Sequence, residues 1–359
     1  DLVALHSTDP ASVFLSAAAR MRASDPATVE RALYEDRTLV RLLGMRRTMC
    51  VVPLELVPVV HAACTRALVP AQRRRIVQVI EQAGIAADGE RWLRDVEEAT
   101  LRALAVRGEA SGAELAADVP GLRRQIVMNE GKSYGGASAL TTRVLFVLAA
   151  GERIVRGRPR GSWISSQYRW APIETWLRDG VPDLLPEEAR ADLVRRWLRA
   201  FGPGTAADLR WWTGWTAREV DRVLREVRPV EVQLDGRGTG LVLGDDLEPA
   251  PAHEPWAALL PALDPTVMGW TERAWFLGEH AAALFDRSGN AGPTVWWDGR
   301  VVGGWAQRRD GEIVFRLLED VGADALRAIE DAASRLAAWI GPVRVTPRFR
   351  TPMERELSA

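Results

Sequence analysis

His6 and Thr8 stand two residues apart in "LHSTDPASVFLSAAARM" (residues 5–21), directly ahead of Asp9-Pro10. An imidazole takes up a proton near neutral pH, and a hydroxyl can hold a water molecule. Side chains at i and i+2 share one side of an extended chain but diverge on a helix. Asp9 can cap a helix, and Pro10 suits its first turn. Val13, Phe14, Ala17, Ala18 and Met21 form an apolar stripe behind them, so the pattern predicts a helix opening at Asp9. His6 to Thr8 are then extended or turn-like and can converge on one water, with Asp9 polarising His6 if it is not spent on capping. The plainer alternative, favoured by spacing alone, is that Thr8 or Asp9 is an ordinary cap and His6 is incidental.

No other constellation competes with this one. Cys50, Cys64, His61, His253 and His280 lack the paired spacing of a zinc site or a disulfide scaffold, so no metal or cofactor is expected. The two cysteines read as buried and inert in a reducing cytoplasm, and His61 as a packed helix residue. "NEGKSYGG" (129–136) resembles a phosphate loop, but the glycine that spacing needs is Ile126. It reads instead as a flexible loop carrying Lys132 and Tyr134. No apolar run reaches membrane-span length and no signal peptide is visible, which points to a cytoplasmic, nucleoid-associated protein without a membrane partner. The chain opens on Asp rather than Met, so a true N-terminus upstream is expected.

The 359 residues, 47% of them apolar, suit two or three domains by length. A net charge of −1 offers no global basic field, so a nucleic acid would have to be met by a local patch. The positive charge is almost all arginine, which forks onto phosphates and stacks on rings better than lysine; Lys132 is the only lysine.

The elements that would carry such a patch recur. Residues 25–36 read as a short helix. Residues 38–53 read as a helix, a glycine break and a strand ending at Pro53, and a helix pair follows to about Gln82. From 90 to 107 the periodicity is helical, Ser111 caps a short second helix, and 137–151 gives a third. Two strands follow, joined by "RGRPRGS". Three helices and then a hairpin is the winged-helix order. It returns with helices at 186–202, 204–214 and 216–227, the last two capped by Thr205 and Thr216, and a hairpin at 230–244. Residues 245–255 read as a linker. The strand-like runs "TVWWDGRVVGGWAQ", "GEIVFRLL" and "VRVTP", with one helix, suggest a small barrel or sheet. The expected domains are 1–88, a degenerate winged helix; 89–180 and 181–250, two further winged helices; and 251–359, a β-barrel-like domain.

The second of these concentrates charge: Arg143, Arg153, Arg156, Arg158, Arg160 and Arg169 stand against Glu152, with Trp163, Tyr168 and Trp170 among them. Arginines of this kind neutralise phosphates, and rings support exposed bases; the bland counterpart is a solvated hairpin with core tryptophans. "RWWTGWT" (210–216) reads as interhelical packing and "QRRR" (72–75) as a solvated helix face.

Long stretches then point to a family. "HSTDPASVFLSAAARM", "MRRTMCVVP", "GKSYGGASALTTRVLFVLAAGERIVRGRPRGSWISSQYRWAP", "LLPALDPTVMGW", "LFDRSGNAGPTVWWDGRVVGGWAQ", "FRLLEDVG" and "TPMEREL" resemble the AlkZ-type winged-helix DNA glycosylases, which include YcaQ-like proteins. The resemblance implies an α+β, mainly helical fold of tandem winged-helix (helix-turn-helix) motifs in a C-shaped clamp, with a C-terminal β-barrel. It implies a monomeric glycosylase that excises alkylated purines, in some members from interstrand crosslinks, with adduct-bearing double-stranded DNA as the partner. Because no lysine lies near the motif to form a Schiff base with the sugar, a monofunctional enzyme is expected. The family signature is Gln-x-Gln or Gln-x-Asp; here those positions read His6-Ser7-Thr8. His6, Thr8 and Asp9 are thus the expected catalytic residues. Arg46, Arg47, Lys132, Tyr134, Arg143, Arg153, Arg156, Arg158, Arg160 and Arg169 are the expected DNA contacts. The alternative function is a DNA-binding protein without catalysis, a regulator or an adduct-sequestering protein; a weaker one is a purely structural protein.

Overall fold

The computed structural model describes residues 2–22, 25–128, 136–236 and 238–359. It mixes helix and strand and divides into two compact units, Ala32–Arg190 and Asp1–Arg31 with Ala191–Ala359.

In the unit Ala32–Arg190 the strands Leu39–Leu43 and Met49–Pro53 pair antiparallel, with Val40 opposite Val52 and Arg41 opposite Val51. The helix expected at 38–43 is therefore a strand. Its leucines suit either state, and the β-branched partner across the hairpin decides. Helical turns run from Leu54 to Gln82, with Pro58 and Pro70 in first turns, where a missing N–H costs nothing, and a π-helical turn at His61–Thr65. By length and composition alone this stretch could cross a membrane, contrary to the expectation from sequence. Ile76 and Ile80 nevertheless belong to the unit's core, together with Leu93, Leu104, Leu115 and Leu148.

The helix Gly89–Arg107 leads into Gly112–Asp118, whose start is closed by the Ser111–Glu114 capping box. Only Thr141–Ala150 of the expected third helix is helical. Residues Gly136–Ala139 are a strand paired with Gln125–Met128. The strands Ile154–Pro159 and Tyr168–Pro172 complete the sequence of elements. Arg73, expected on a solvated face, instead grips Glu90 at 2.7 Å and the buried Glu97 at 2.6 Å, tying two helices together.

In the other unit the helices Ala206–Thr213 and Ala217–Val227 open on capping boxes at Thr205–Asp208 and Thr216–Glu219, and the hairpin Val230–Leu234/Gly238–Val242 follows. Trp212 and Trp215 of "RWWTGWT" are buried as packing residues. Gly204 lies so close to Trp197 that a Cβ would meet the ring at 2.3 Å.

Beyond these, Ala257–Leu260, Thr294–Trp297, Arg300–Gln307 and Ile313–Leu317 form an antiparallel sheet in chain order. The first and last strands do not pair, so the expected barrel is an open sheet. Asp298 and Gly299 both take positive φ in the two-residue turn between its second and third strands. The helix Gly322–Ile340 packs on the sheet.

"VRVTP" is not a strand. Its neighbourhood is held by side chains instead: Gln307 Oε1 accepts the Val345 N–H at 2.7 Å and Asp9 Oδ2 accepts the Arg348 N–H at 3.0 Å.

Candidate active site

The helix predicted at Asp9 spans Pro10–Ala18, and every residue from Pro10 to Ser16 is buried. Small hydroxyls let it sit that deeply. Ser12 Oγ donates to the Ala262 carbonyl at 2.6 Å, and Ser16 Oγ to Asp264 at 2.7 Å. Asp264 is fully buried and also receives both arms of Arg20, at 2.7 and 2.9 Å, and the Thr266 N–H at 2.9 Å. The helix start is fixed by this network.

Asp9 is the cap. Its backbone is extended (φ −101°, ψ 118°), Oδ1 accepts the Ala11 N–H at 3.1 Å and Oδ2 accepts the Arg348 N–H. Both oxygens are thus committed to backbone, which corrects the catalytic role expected for Asp9: it anchors the motif. Burial pushes its carboxyl above the ordinary value of 3.8, outweighing the two N–H groups. Asp9→Ala is expected to cost about 2 kcal/mol at neutral pH, from the lost cap and the stranded Arg348 N–H. A raised pKa means the stabilising share is full below the unfolded value and is lost as pH rises through the folded one. The deficit, read by denaturant unfolding, should therefore be larger in acid than at neutral pH.

The contact between His6 and Thr8 is made through the Thr8 backbone. Leu5–His6 is extended, both side chains are partly exposed, and Ser7 between them is 2% exposed. The Thr8 backbone N–H points at His6 Nδ1 at 3.5 Å, long for a hydrogen bond. This contact places Nδ1, rather than Nε2, next to Thr8.

Arg348, whose N–H Asp9 holds, lines a groove of about 970 Å³ together with Asp286, Arg287, Arg350 and Arg355. Arg350 is paired with Glu354 at 2.6 Å. Arg287, Arg348 and Arg355 are exposed and, among the described residues, form no ion pair with a carboxylate. Sequence reasoning missed this cluster because Arg287 and Arg348 are far apart along the chain. The alternating arginines of "RVTPRFR" were the available signal.

The arginines expected at the DNA interface, by contrast, are mostly engaged. Arg158 pairs with Glu35 at 3.0 Å, Arg160 with Glu114 at 2.5 Å and Arg169 with Glu109 at 2.6 Å. Such surface pairs are weak enough to be exchanged for phosphate. Arg143 is half-buried and Arg153 exposed. Arg156 is corrected more firmly: its guanidinium lies 4.0 Å over the Trp170 ring, and burial holds its pKa down to about 10. Trp163 and Trp170 are buried, as in the bland reading of that hairpin. Lys132 and Tyr134 lie outside the described residues.

Arg46 and Arg47 are exposed at the tip of the first hairpin, both with positive φ (50° and 59°), where Asn-Gly would be at ease. Holding two arginines there costs about 1–2 kcal/mol per residue.

The other candidate groups are structural. Burial pushes the Cys50 thiol up to about 11 and that of Cys64 to about 12, so neither is a nucleophile. His61 is not merely packed: Nδ1 lies 3.0 Å from Glu152 and 3.1 Å from Thr65 Oγ1. Among the described residues no group of acidic, histidine and cysteine side chains could hold a metal ion.

Comparison with known proteins adds three findings. The model of the family described as "DNA glycosylase AlkZ-like" matches residues 1–339. Over 173 residues the chain is 27% identical to an "Interstrand DNA cross-link repair glycosylase" of Streptomyces sahachiroi, a match that spans 46% of this chain and 46% of that relative. The match thus covers under half the length of that curated relative. The solved structure of Streptomyces sahachiroi DNA glycosylase AlkZ shares the fold, with a TM-score of 0.68 at 21% identity, over 96% of this chain and 90% of that one.

Proposed function

The chain belongs to the AlkZ-like family of DNA glycosylases, and we propose that it is a monofunctional, monomeric member that hydrolyses the N-glycosidic bond of bulky or crosslinked N-alkylpurines in duplex DNA, in repair or in self-resistance to a genotoxin. The crosslinked substrate is carried over from the relative named for cross-link repair. The reading is supported by the contact of the Thr8 backbone N–H with His6 Nδ1 directly ahead of a buried helix.

An N7-alkylated purine is already cationic and leaves with the electrons of the C1′–N9 bond, so no general acid is needed. Water adds to C1′ of the oxocarbenium sugar. Thr8 holds that water and His6 Nδ1 takes its proton, leaving the free base and an abasic strand. The long contact from the Thr8 N–H is readily exchanged for a water O–H. His6 must be neutral, because an imidazolium would oppose the sugar cation. No lysine accompanies the motif in sequence, so no Schiff base with the sugar is invoked.

Arg287, Arg348 and Arg355 take phosphates beside the motif. The Arg46-Arg47 turn, with Arg143, Arg153, Arg158, Arg160 and Arg169, takes others. Residues 89–180 and 181–250 serve as winged-helix modules, 1–88 as a degenerate one and 251–359 as the C-terminal domain. The second reading, a DNA binder without catalysis, is favoured by one observation: His6-Ser7-Thr8 stands where the family carries Gln-x-Gln or Gln-x-Asp.

Incubation with a duplex carrying an N7-alkylguanine separates the two. Release of the base, leaving a strand that breaks only after alkali, is the expected result; tight binding without release would select the binder. Arg287→Ala and Arg348→Ala are each expected to lower the slope of log affinity against log salt by about 0.9, the contribution of one phosphate contact. Unchanged slopes would take the groove out of the interface.

A further inference from the structure

Among the described residues, Arg41 and Arg156 share one cavity of the unit Ala32–Arg190 with no anion in its lining. Arg41 projects from the strand Leu39–Leu43 and is 2% exposed. Its Nη1 donates to the Tyr34 hydroxyl at 3.3 Å, while Nε and Nη2 are buried and have no hydrogen-bond partner among the described residues. The Nε of Arg156 is buried and unmatched in the same way. Both guanidiniums stack on Tyr168, at 4.3 and 5.6 Å from the ring centre. Among the described residues neither forms an ion pair, whereas neighbouring Arg158 and Arg169 each have a carboxylate.

Burying two cations without a counter-ion is costly, and ring faces recover only part of the loss. Arg156 nevertheless stays charged at neutral pH. The cavity they line measures about 310 Å³. Leu43, Met49, Leu145 and Phe146 give it an apolar wall, and Thr141 and Thr142 add hydroxyls.

We propose that this cavity is a binding site for a small organic oxyanion, a carboxylate or phosphate monoester on a compact apolar body, with its charged group held by Arg41 and Arg156. The volume is at the lower end for small-molecule sites. Duplex DNA fits less well, because its phosphates lie on a broad surface and Arg41 is almost wholly covered. The base-release chemistry uses none of these residues, so this site and that activity can fail separately.

The test titrates the whole protein with benzoate, phenyl phosphate and inorganic phosphate, by calorimetry and by the thermal unfolding midpoint. Saturable binding of benzoate or phenyl phosphate that raises the midpoint is expected, with inorganic phosphate weaker. Arg156→Met should weaken that binding on the order of tenfold or more, and Arg156→Lys, which keeps the charge but not the fork, by less. Arg41→Met should act like Arg156→Met; should it not fold, the Arg156 pair decides alone. No saturable binding of any probe, or equal binding to Arg156→Met, would overturn the site. Inorganic phosphate binding as tightly as phenyl phosphate would overturn the apolar body. Displacement of the probe by a short undamaged duplex would overturn the small-ligand assignment in favour of a DNA phosphate.

Discussion

His6→Ala is expected to slow release of an N7-alkylguanine from duplex DNA by about 10²–10⁴-fold, the usual worth of a general base, with duplex affinity essentially unchanged. The two effects separate because His6 is not among the residues that line the arginine groove. Thr8→Val, which keeps the backbone N–H at Nδ1 but removes the hydroxyl, should lose less, since it takes away one hold on the water and leaves the base. Equal losses of rate and affinity in His6→Ala would make the histidine a binding residue.

The largest stability effect is expected at Arg20. Arg20→Ala leaves the fully buried Asp264 with only Ser16 Oγ and the Thr266 N–H as donors, and breaking a buried pair in this way costs about 3–5 kcal/mol. Asp264→Ala should cost less, because Arg20, with 29% of its side chain exposed, can turn to solvent. Urea unfolding reads both. The consequence reaches the active site, since this network seats the helix that begins at Asp9. Losses under about 1 kcal/mol, the scale of a surface pair, would mean that the helix is held by apolar packing alone.

How much could be read in advance depended on the range of the interactions. Ser111, Thr205 and Thr216 were legible as caps because a capping box closes within four residues. The Asp9-Pro10 helix start was legible for the same reason. The strand Leu39–Leu43 was not, because its state is set by Met49–Pro53 across the hairpin. Nor was the irregular course of residues 343–348, whose N–H groups are satisfied by Gln307 and by Asp9, hundreds of positions earlier in the latter case. The same long-range contact commits Asp9 and brings Arg348 beside the motif. The hairpin arginines looked like one basic stripe in sequence; their carboxylate partners, Glu35, Glu109 and Glu114, come from other elements.

The central claim is that a neutral His6, with Thr8, delivers water to the sugar. Its most direct test is the single-turnover rate of base release by the unmodified protein across about pH 5 to 8, the range in which a histidine changes charge, with spontaneous depurination subtracted. The account predicts a rate that climbs as the imidazole loses its proton and then levels off, with the climb absent in His6→Ala. A rate that is flat across that range, or saturating binding with no base released at any pH, would contradict it.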